Sequence, residues 1–412
     1  MQKFDVLIVG GGMVGLTAAL AIRKQSQFKV AIVDTQACQT LTEQPELRVS
    51  AINAVSQQLF ANLAVWPLIN AQRLQAYQHM HIWDKSGYGQ VNFDVNDLDN
   101  TKEQQQLGWI IENNVIRNAL WEKARQDSGI SFFSESKLAN IAMGESEVFA
   151  SFSDNSQAPI MAKLVVGADG AHSWVREQMQ MKLSFRDYDH HAIVATIECS
   201  QSHQNTAWQV FLPEGPLAFL PLYKNNLCSI VWSTTPEQAN KLTQLSAAEF
   251  SKQLTSASDG KLGKLTLKSE LCTFPLTMRL AQQFNKDKVV LVGDAAHTIH
   301  PLAGQGVNLG LLDAAALAQV LSQAEKNNQN SSVCFSEKLL NDYHRWRKSE
   351  AAEMIAAMEV IKQSFTPQQP LIKFLRGMGM SLLNRFSPAK KLMIAQALGY
   401  KGQAPNLTQM LK

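Results

Sequence analysis

Cysteine is scarce and scattered in this chain. Cys38, Cys199, Cys228, Cys272 and Cys334 form no CxxC pair and no metal-ligand spacing, which excludes a dense disulfide framework and a zinc knuckle. They read as reduced, mostly buried thiols of a cytoplasmic protein. No stretch reaches the roughly 20 uninterrupted apolar residues that a membrane-crossing helix needs. The nearest imitation, Val6 to Ile22, is opened by Asp5, broken by three consecutive glycines and followed by no small-residue cleavage site, so it is not expected to be a signal peptide. Net charge is small: 38 Lys and Arg against 35 Asp and Glu leave +3, too little to imply nucleic acid. There is no nucleophile elbow with a Ser/His/Asp order, no HExxH pair, no internal repeat and no low-complexity linker. What remains is a composition of 45% hydrophobic and 18% charged residues over 412 positions, enough for two cores and a helical tail.

Three glycine-bearing turns stand out against that background. Phe4 to Val9 is an apolar strand, Gly10-Gly11-Gly12-Met13-Val14-Gly15 follows, and Leu16 to Ile22 has a helical pattern. This is the start of a Rossmann-type βαβ unit: Gly10 makes the tight turn, Gly12 admits a pyrophosphate to the helix N-terminus, and Gly15 lets helix and strand pack closely. The next strand, Val30 to Val33, ends at Asp34, where a carboxylate takes ribose hydroxyls. The second turn lies in Val289 to Asn308, VVLVGDAAHTIHPLAGQGVN, where a strand runs into Gly293-Asp294. Asp294 is placed to accept hydrogen bonds from sugar-alcohol hydroxyls, while Gly304 and Gly306 let backbone N–H groups approach a flat ring such as a flavin. The helix expected at Leu309 to Leu321 points its positive end at that ring, with Asn308 at its N-cap. The third turn is Leu164 to Ser173, again a strand ending in glycines and an acid, Asp169.

GGGMVG, GADGAHSWVR and GDAAHTIHPLAGQGVN, in this order and at these separations, resemble the three fingerprints of the single-component FAD-dependent aromatic hydroxylases. Within that group the chain is similar to the ubiquinone-biosynthesis hydroxylase family, over nearly its whole length, with the stretch His297 to Gly306 the most specific. The resemblance implies roles at matching positions. Gly10, Gly12, Met13, Val14 and Gly15 lie at the pyrophosphate, Asp34 at the adenosine ribose, and Gly293 and Asp294 at the ribityl chain. Arg48, in ELRVSAI, steadies the flavin end, and Arg117, in NNVIRNALW, touches the cofactor. Asp169 and Gly170 serve both FAD and a transient pyridine nucleotide, and Pro301, Gly304, Gln305, Gly306, Val307 and Asn308 follow the flavin. One departure from the family pattern is Asp34, where flavoproteins more often carry Glu. The shorter side chain lengthens the ribose contact or routes it through water.

The same resemblance implies the fold: an α/β, Rossmann-like FAD domain in three sequence pieces (1–75, 101–180 and 275–330), a second α+β domain with an antiparallel substrate sheet (76–100 and 181–274), and a C-terminal helical region (331–412). The residues agree, since His79 to Trp83, Val91 to Val95, Ala192 to Glu198, Ala207 to Phe211 and Leu227 to Trp232 are short, β-branched and aromatic. Trp208, Phe211, Phe219 and Pro221 read either as an apolar substrate wall or as plain core. His297 and His300 are three apart but have no third ligand at metal spacing; His297 reads as a loop hydrogen-bonder, and His300 and Pro301 as neighbours of the reacting face. After Glu359 there is no acidic residue, while Lys362, Lys373, Arg376, Arg385, Lys390, Lys391 and Lys401 alternate with apolar positions. This tail reads either as a peripheral contact with the inner membrane surface or an acidic partner, or as a helix whose charges are merely solvated.

With no second complete dinucleotide fingerprint and no nominated acid or base, a flavin must carry the chemistry. The family resemblance implies reduction by NAD(P)H or another donor, reaction with O2 to a flavin C4a-hydroperoxide, and hydroxylation of a polyprenylated phenol or benzoquinol. ELRVSAINAVS, WQVFLPEGPLAFLPL and IAQALGY resemble the branch acting on 2-polyprenyl-3-methyl-6-methoxy-1,4-benzoquinol. The alternatives are hydroxylation of 2-polyprenylphenol, hydroxylation of a small soluble phenol, and a flavin-binding scaffold of a quinone-biosynthesis complex.

Overall fold

The strand Gln2–Val9 is polar where it starts and wholly interior from Val6 onward, as expected of a strand that enters a sheet covered on both faces. The computed structural model describes residues 1–98, 105–154, 157–299, 306–327, 335–365, 369–400 and 403–409. In the first sheet Asn285–Lys286, Val289–Leu291, Ile160–Gly167, Gln2–Val9, Val30–Val33 and Ile130–Phe133 lie side by side in that order. The pairings from Val289–Leu291 to Ile130–Phe133 are all parallel, and the strands Leu138–Met143 and Val148–Phe152 add an antiparallel flap. The helices Met13–Gln25 and Gly306–Asn327 pack together over this sheet. Their close approach depends on Gly310, where a Cβ would lie 2.9 Å from Val14 Cγ2 and 3.0 Å from Gly293 Cα.

A second, nine-stranded sheet runs in the order His297–Thr298, Cys272–Ala281, Leu183–Cys199, Leu227–Thr234, Gly215–Pro221, Thr206–Leu212, His79–Asp84 and Gln90–Asp94, with Leu265–Leu267 branching from Leu183–Cys199. All five segments expected as strands lie in it. It is antiparallel except where His79–Asp84 runs parallel to Thr206–Leu212, because that strand arrives from a distant part of the chain rather than through a hairpin. The strand Cys272–Ala281 pairs with Leu183–Cys199 and so carries the second sheet past residue 275. One face packs on the helices Pro236–Thr243 and Ala247–Ala257, through Phe219, Trp232, Phe250 and Leu254. The second of these helices starts with a capping box, Ser246 and Glu249 each accepting from the other's backbone N–H, a device worth about 1 kcal/mol.

The opposite face looks toward the first sheet. A small three-stranded sheet of Val49–Ile52, Gly108–Glu112 and Leu74–Tyr77 bridges the two bodies, and Ala51 and Ile110 pack with Ala218, Leu220 and Leu222. The chain therefore passes between layers repeatedly, and the cofactor motifs, which are distant in sequence, converge at the C-terminal ends of parallel strands. Helices Glu337–Phe365, Pro370–Arg385 and Ser387–Ala397 follow, and a 3-10 turn, Asn406–Thr408, returns to the first body. Among the described residues no helix is long and apolar enough to cross a membrane.

Candidate cofactor and active site

The first glycine turn is built by exclusion of side chains. Gly10 has φ +109°, and a Cβ there would sit 2.4 Å from the Ala168 carbonyl oxygen, the neighbouring strand end. At Gly15 a Cβ would lie 1.9 Å from the Gly10 carbonyl oxygen, so helix and strand touch through backbone alone. Gly12 differs: nothing lies within 4 Å of its Cβ position. It is the N-cap of Met13–Gln25, which has no side-chain cap and no acid in its first turn. The free N–H groups and positive helix end thus face open space, which is an anion site. Val14 reaches across to Gly293 and Gly310, and Met13 packs against the main core.

Asp34 closes the turn from the next strand. Its Oδ2 accepts from the Gly11 N–H at 2.6 Å and its Oδ1 from the Gln36 N–H at 2.7 Å. Arg117, carried by the helix Asn113–Arg125, donates from Nε to the Gly11 carbonyl at 2.9 Å and from Nη1 to Ala37 at 3.2 Å, with Nη2 3.5 Å from Asp34. Its guanidinium also stands 5.3 Å from the Trp121 ring. Arg117 therefore clamps the glycine turn to the segment after Asp34.

Asp294 follows Gly293, which has φ +59° and lies against Val14. The carboxylate is exposed to solvent, yet burial among protein atoms is the main cause that raises its pKa. His297 pulls the other way, Asp313 adds to the rise, and Arg279 and Arg48 oppose it. Both facts hold for a group on the floor of a cleft: water reaches it, but protein encloses it. Asp169 shows the same tendency. Its Oδ2 accepts from the Val175 N–H at 3.0 Å, its Oδ1 is buried with no hydrogen-bond partner among the described residues, and burial raises its pKa against the bonds it accepts. Gly170 beside it has φ +83° and open space at its Cβ position.

Sequence reasoning missed the groups that hold this floor in place. Asp313, fully buried in the helix Gly306–Asn327, accepts from the Gly293 N–H at 2.9 Å, from His297 Nε2 at 2.6 Å and from Arg347 Nε at 2.6 Å. An ionised carboxylate only accepts, so Nε2 of His297 carries the proton. Burial alone would raise the Asp313 carboxyl; His297 and Arg347 outweigh it and hold it below the usual range. Arg347, also fully buried, further binds Glu350 at 2.8 Å and the Leu309 carbonyl at 3.3 Å. Arg176 joins two motifs, donating to the Ala295 carbonyl at 2.9 Å and to Ala171 at 3.1 Å. The one local signal was Asp313 itself, a lone acid in the otherwise apolar run Leu309 to Ala318; Arg347 and Arg176 lie in polar stretches that give none.

Asn308 is not an N-cap. The helix begins at Gly306, and the Asn308 side chain instead accepts from the Asn53 N–H at 3.1 Å and donates to the Ala51 carbonyl at 2.8 Å, fixing the bridging sheet to the helix that starts under the cleft. Val307 packs on the main core. Arg48 is exposed with its guanidinium 5.0 Å from the Phe274 ring, so it spans from the bridging sheet to the second sheet. The strand His297–Thr298 pairs with Leu280 and Arg279 at the edge of the second sheet, joining the turn after Asp294 to it. His300, Pro301, Gly304 and Gln305 lie outside the described residues.

The four aromatic and proline candidates divide between two faces. Trp208 pairs with Phe219 in register, and both belong to the core under the helices Pro236–Thr243 and Ala247–Ala257; alternation puts Pro221 on the same face. That face is turned away from the cleft. Phe211 is on the other face, where it stacks on Phe365 at 3.6 Å between ring centroids. The side chains that do look toward the bridging sheet are Ala218, Leu220 and Leu222, with Val231, Leu276 and Met278 along the same surface.

These features fit FAD. The open N-terminus at Gly12 suits a pyrophosphate, Asp34 a ribose, Asp294 a polyol chain, and the uncompensated Asp169 Oδ1 a hydrogen-bond donor. Among the described residues no cluster of His, Cys, Asp or Glu suits a metal ion.

The comparisons agree. The FAD binding domain family matches residues 3–358. The 3-demethoxyubiquinol 3-hydroxylase of Escherichia coli (strain K12) is 33% identical over 400 residues, covering 97% of this chain and 99% of that protein. The mitochondrial ubiquinone biosynthesis monooxygenase COQ6 of Homo sapiens is 30% identical over 442 residues, covering 96% and 92%. In fold the chain is similar to p-nitrophenol 4-monooxygenase PnpA from Pseudomonas putida DLL-E4, with TM-score 0.78 and 19% identity over 97% of this chain and 99% of that one. The chain thus belongs to the FAD binding domain family and, within it, to the FAD-dependent monooxygenases of the ubiquinone-biosynthesis hydroxylase type.

Proposed function

We propose that this protein hydroxylates the ring of 2-polyprenyl-3-methyl-6-methoxy-1,4-benzoquinol, taking electrons from NAD(P)H or another donor and one oxygen atom from O2. The observation that carries the reading is full-length similarity to a 3-demethoxyubiquinol 3-hydroxylase, over 97% of this chain. In this reading FAD is held by Gly10, Gly12, Met13, Val14, Gly15, Asp34 and Arg117 at its adenosine and pyrophosphate end. Gly293, Asp294, Asp169, Gly170, Arg48 and the segment from Pro301 to Asn308 serve the ribityl and flavin end. Bound and reduced flavin supplies the activated oxygen.

The protein's own residues bind, orient and exclude water. Asp294 accepts hydroxyl hydrogen bonds from the cleft floor, and its position is set through Gly293 by Asp313. The apolar face of Ala218, Leu220, Val231 and Leu276 keeps the space above dry and offers only dispersion contacts to a methyl- and methoxy-bearing ring. We assign the cofactor domain to 1–75, 101–180 and 275–330, of which the strand end up to Ala281 and the pair His297–Thr298 are lent to the second sheet, the substrate domain to 76–100 and 181–274, and the helical region to 331–412. A substrate with a long isoprenoid tail lives in lipid, so the enzyme works at a membrane surface, alone or within a quinone-biosynthesis complex.

The test is turnover of purified FAD-loaded protein with a short-tailed demethoxy-benzoquinol under 18O2. Incorporation of one 18O atom into the ring supports the reading. Oxidation of the reductant with no labelled product, or labelling of a polyprenylphenol analogue instead, overturns it.

A further inference from the structure

The helix Pro370–Arg385 has one face fixed to the protein and one left bare. On the inner face Arg376 donates from Nε to Asp84 at 2.8 Å, both side chains being almost wholly buried, and its guanidinium also lies 5.0 Å from the Phe365 ring. Next to it Met380 packs against Gly89, where a Cβ would lie 2.7 Å from the Met380 sulfur. This anchoring sets the rotation of the helix. On the outer face Leu371, Phe374, Leu375, Met378 and Leu382 are 55–68% exposed, at the spacing of a single helical stripe. Soluble proteins expose lone apolar side chains freely, but a continuous stripe of large ones marks a contact surface.

The charges around the stripe say what it contacts. Arg385 is exposed beside the stripe and forms no ion pair among the described residues, Lys373 lies one turn before Arg376 on the inner face, and no acidic residue follows Glu359 in the sequence. Arg376 and Lys390 do not contribute, since Asp84 and Asp97 neutralise them. The helix also covers the same face of the second sheet that looks onto the cleft: Phe211, Met80 and Ile82 lie beneath the helical region, and Tyr77 packs with both that cluster and the cleft-side one. An apolar stripe with an unpaired cation and no acid at its rim, beside a cleft that receives a lipid-borne ring, is complementary to one partner.

We propose that the outer face of Pro370–Arg385 is the docking surface for an anionic lipid bilayer, onto which it lays the apolar stripe while Arg385 meets the headgroups. The purpose assigned to it rests on the proposed prenylated substrate, but binding is measured without substrate. FAD-loaded full-length protein is floated with phosphatidylcholine vesicles with and without phosphatidylglycerol. Wild type is expected to float with the anionic vesicles. The Leu375→Glu/Leu382→Glu variant should lose about 10-fold or more of that binding, and Arg385→Glu should weaken it about 5-fold or more on anionic vesicles while leaving the weak binding to neutral ones unchanged. Because Leu375, Leu382 and Arg385 are exposed, FAD retention and Tm should not change. The proposal is overturned if wild type ignores anionic vesicles, if the variants bind as well as wild type, or if the stripe variants only convert a solution dimer to monomer, which would make a second copy the occupant. Vesicle binding without 18O incorporation would sink the substrate reading and leave the docking surface standing; the reverse would sink the docking surface alone.

Discussion

Replacing Asp313 by Asn keeps its shape and removes its charge, which isolates what the buried anion does for the cofactor floor. Three donors converge on it, two of them from His297 and Arg347 at 2.6 Å, and the Arg347 guanidinium is fully buried. Removing one partner of a buried ion pair typically costs about 3–5 kcal/mol, because the other charge is left without compensation. Here Glu350 still holds Arg347 at 2.8 Å and is partly solvated, and the Asn oxygen still accepts one bond, so the low end applies. A loss of about 3 kcal/mol corresponds to a folding equilibrium on the order of 100-fold less favourable. The loss should depend on pH with a definite sign. The folded-state pKa of Asp313 lies below its ordinary value, so its stabilisation is complete above about pH 4 and fades as pH falls through the lowered value. Urea unfolding of wild type and variant, followed by tryptophan fluorescence at neutral pH and again in acid, measures both quantities. FAD affinity should fall as well, since one amide oxygen cannot serve the Gly293 N–H, His297 and Arg347 together, and the turn that places Asp294 loosens. A stability loss under about 1 kcal/mol together with unchanged FAD affinity would refute the idea that this network positions the floor.

Asp294→Asn should separate stability from cofactor binding. Its folded-state pKa is raised, so the charged form penalises the apo protein at neutral pH; the variant's apo form should be the more stable there, an advantage that disappears as pH falls through the raised value. FAD affinity should drop roughly 10- to 150-fold, from the 1.5–3 kcal/mol usual for hydrogen bonds to a charged group, as read by equilibrium dialysis. Gly12→Ala should leave apo stability within about 1 kcal/mol of wild type, because nothing lies within 4 Å of the added methyl, but should block the pyrophosphate and release FAD. Gly15→Ala, with a backbone oxygen 1.9 Å from the new Cβ, should instead lower the thermal transition of apo and FAD-loaded protein alike.

The cofactor motifs were legible because they are local: a strand, a glycine turn and an acid are consecutive, and steric exclusion at Gly10 and Gly15 leaves few other residues possible. The strands of the second sheet were legible from alternation, but alternation does not say which face is inward. Trp208 and Phe219 prove to face the helices Pro236–Thr243 and Ala247–Ala257, and Leu220 the cleft. The least legible parts were contacts between distant charges. Arg376 reads in sequence as one of several solvated cations, yet it is tied to Asp84 across 292 positions, and Arg347 is bound to Asp313 across 34. A helical pattern places such side chains on a face without naming the partner on another element. Asn308 shows a smaller error of the same kind: the residue type suits an N-cap, but tertiary packing starts the helix earlier and turns the amide to the bridging sheet.

The central claim, hydroxylation of a late polyprenylated ubiquinone precursor, is tested most directly by the quinone profile of cells lacking this gene, measured by mass spectrometry before and after the gene is restored. The account predicts that demethoxy-ubiquinone accumulates and disappears on restoration with wild type but not with the Gly12→Ala variant. An unchanged ubiquinone pool, or accumulation of polyprenylphenol in its place, would contradict it.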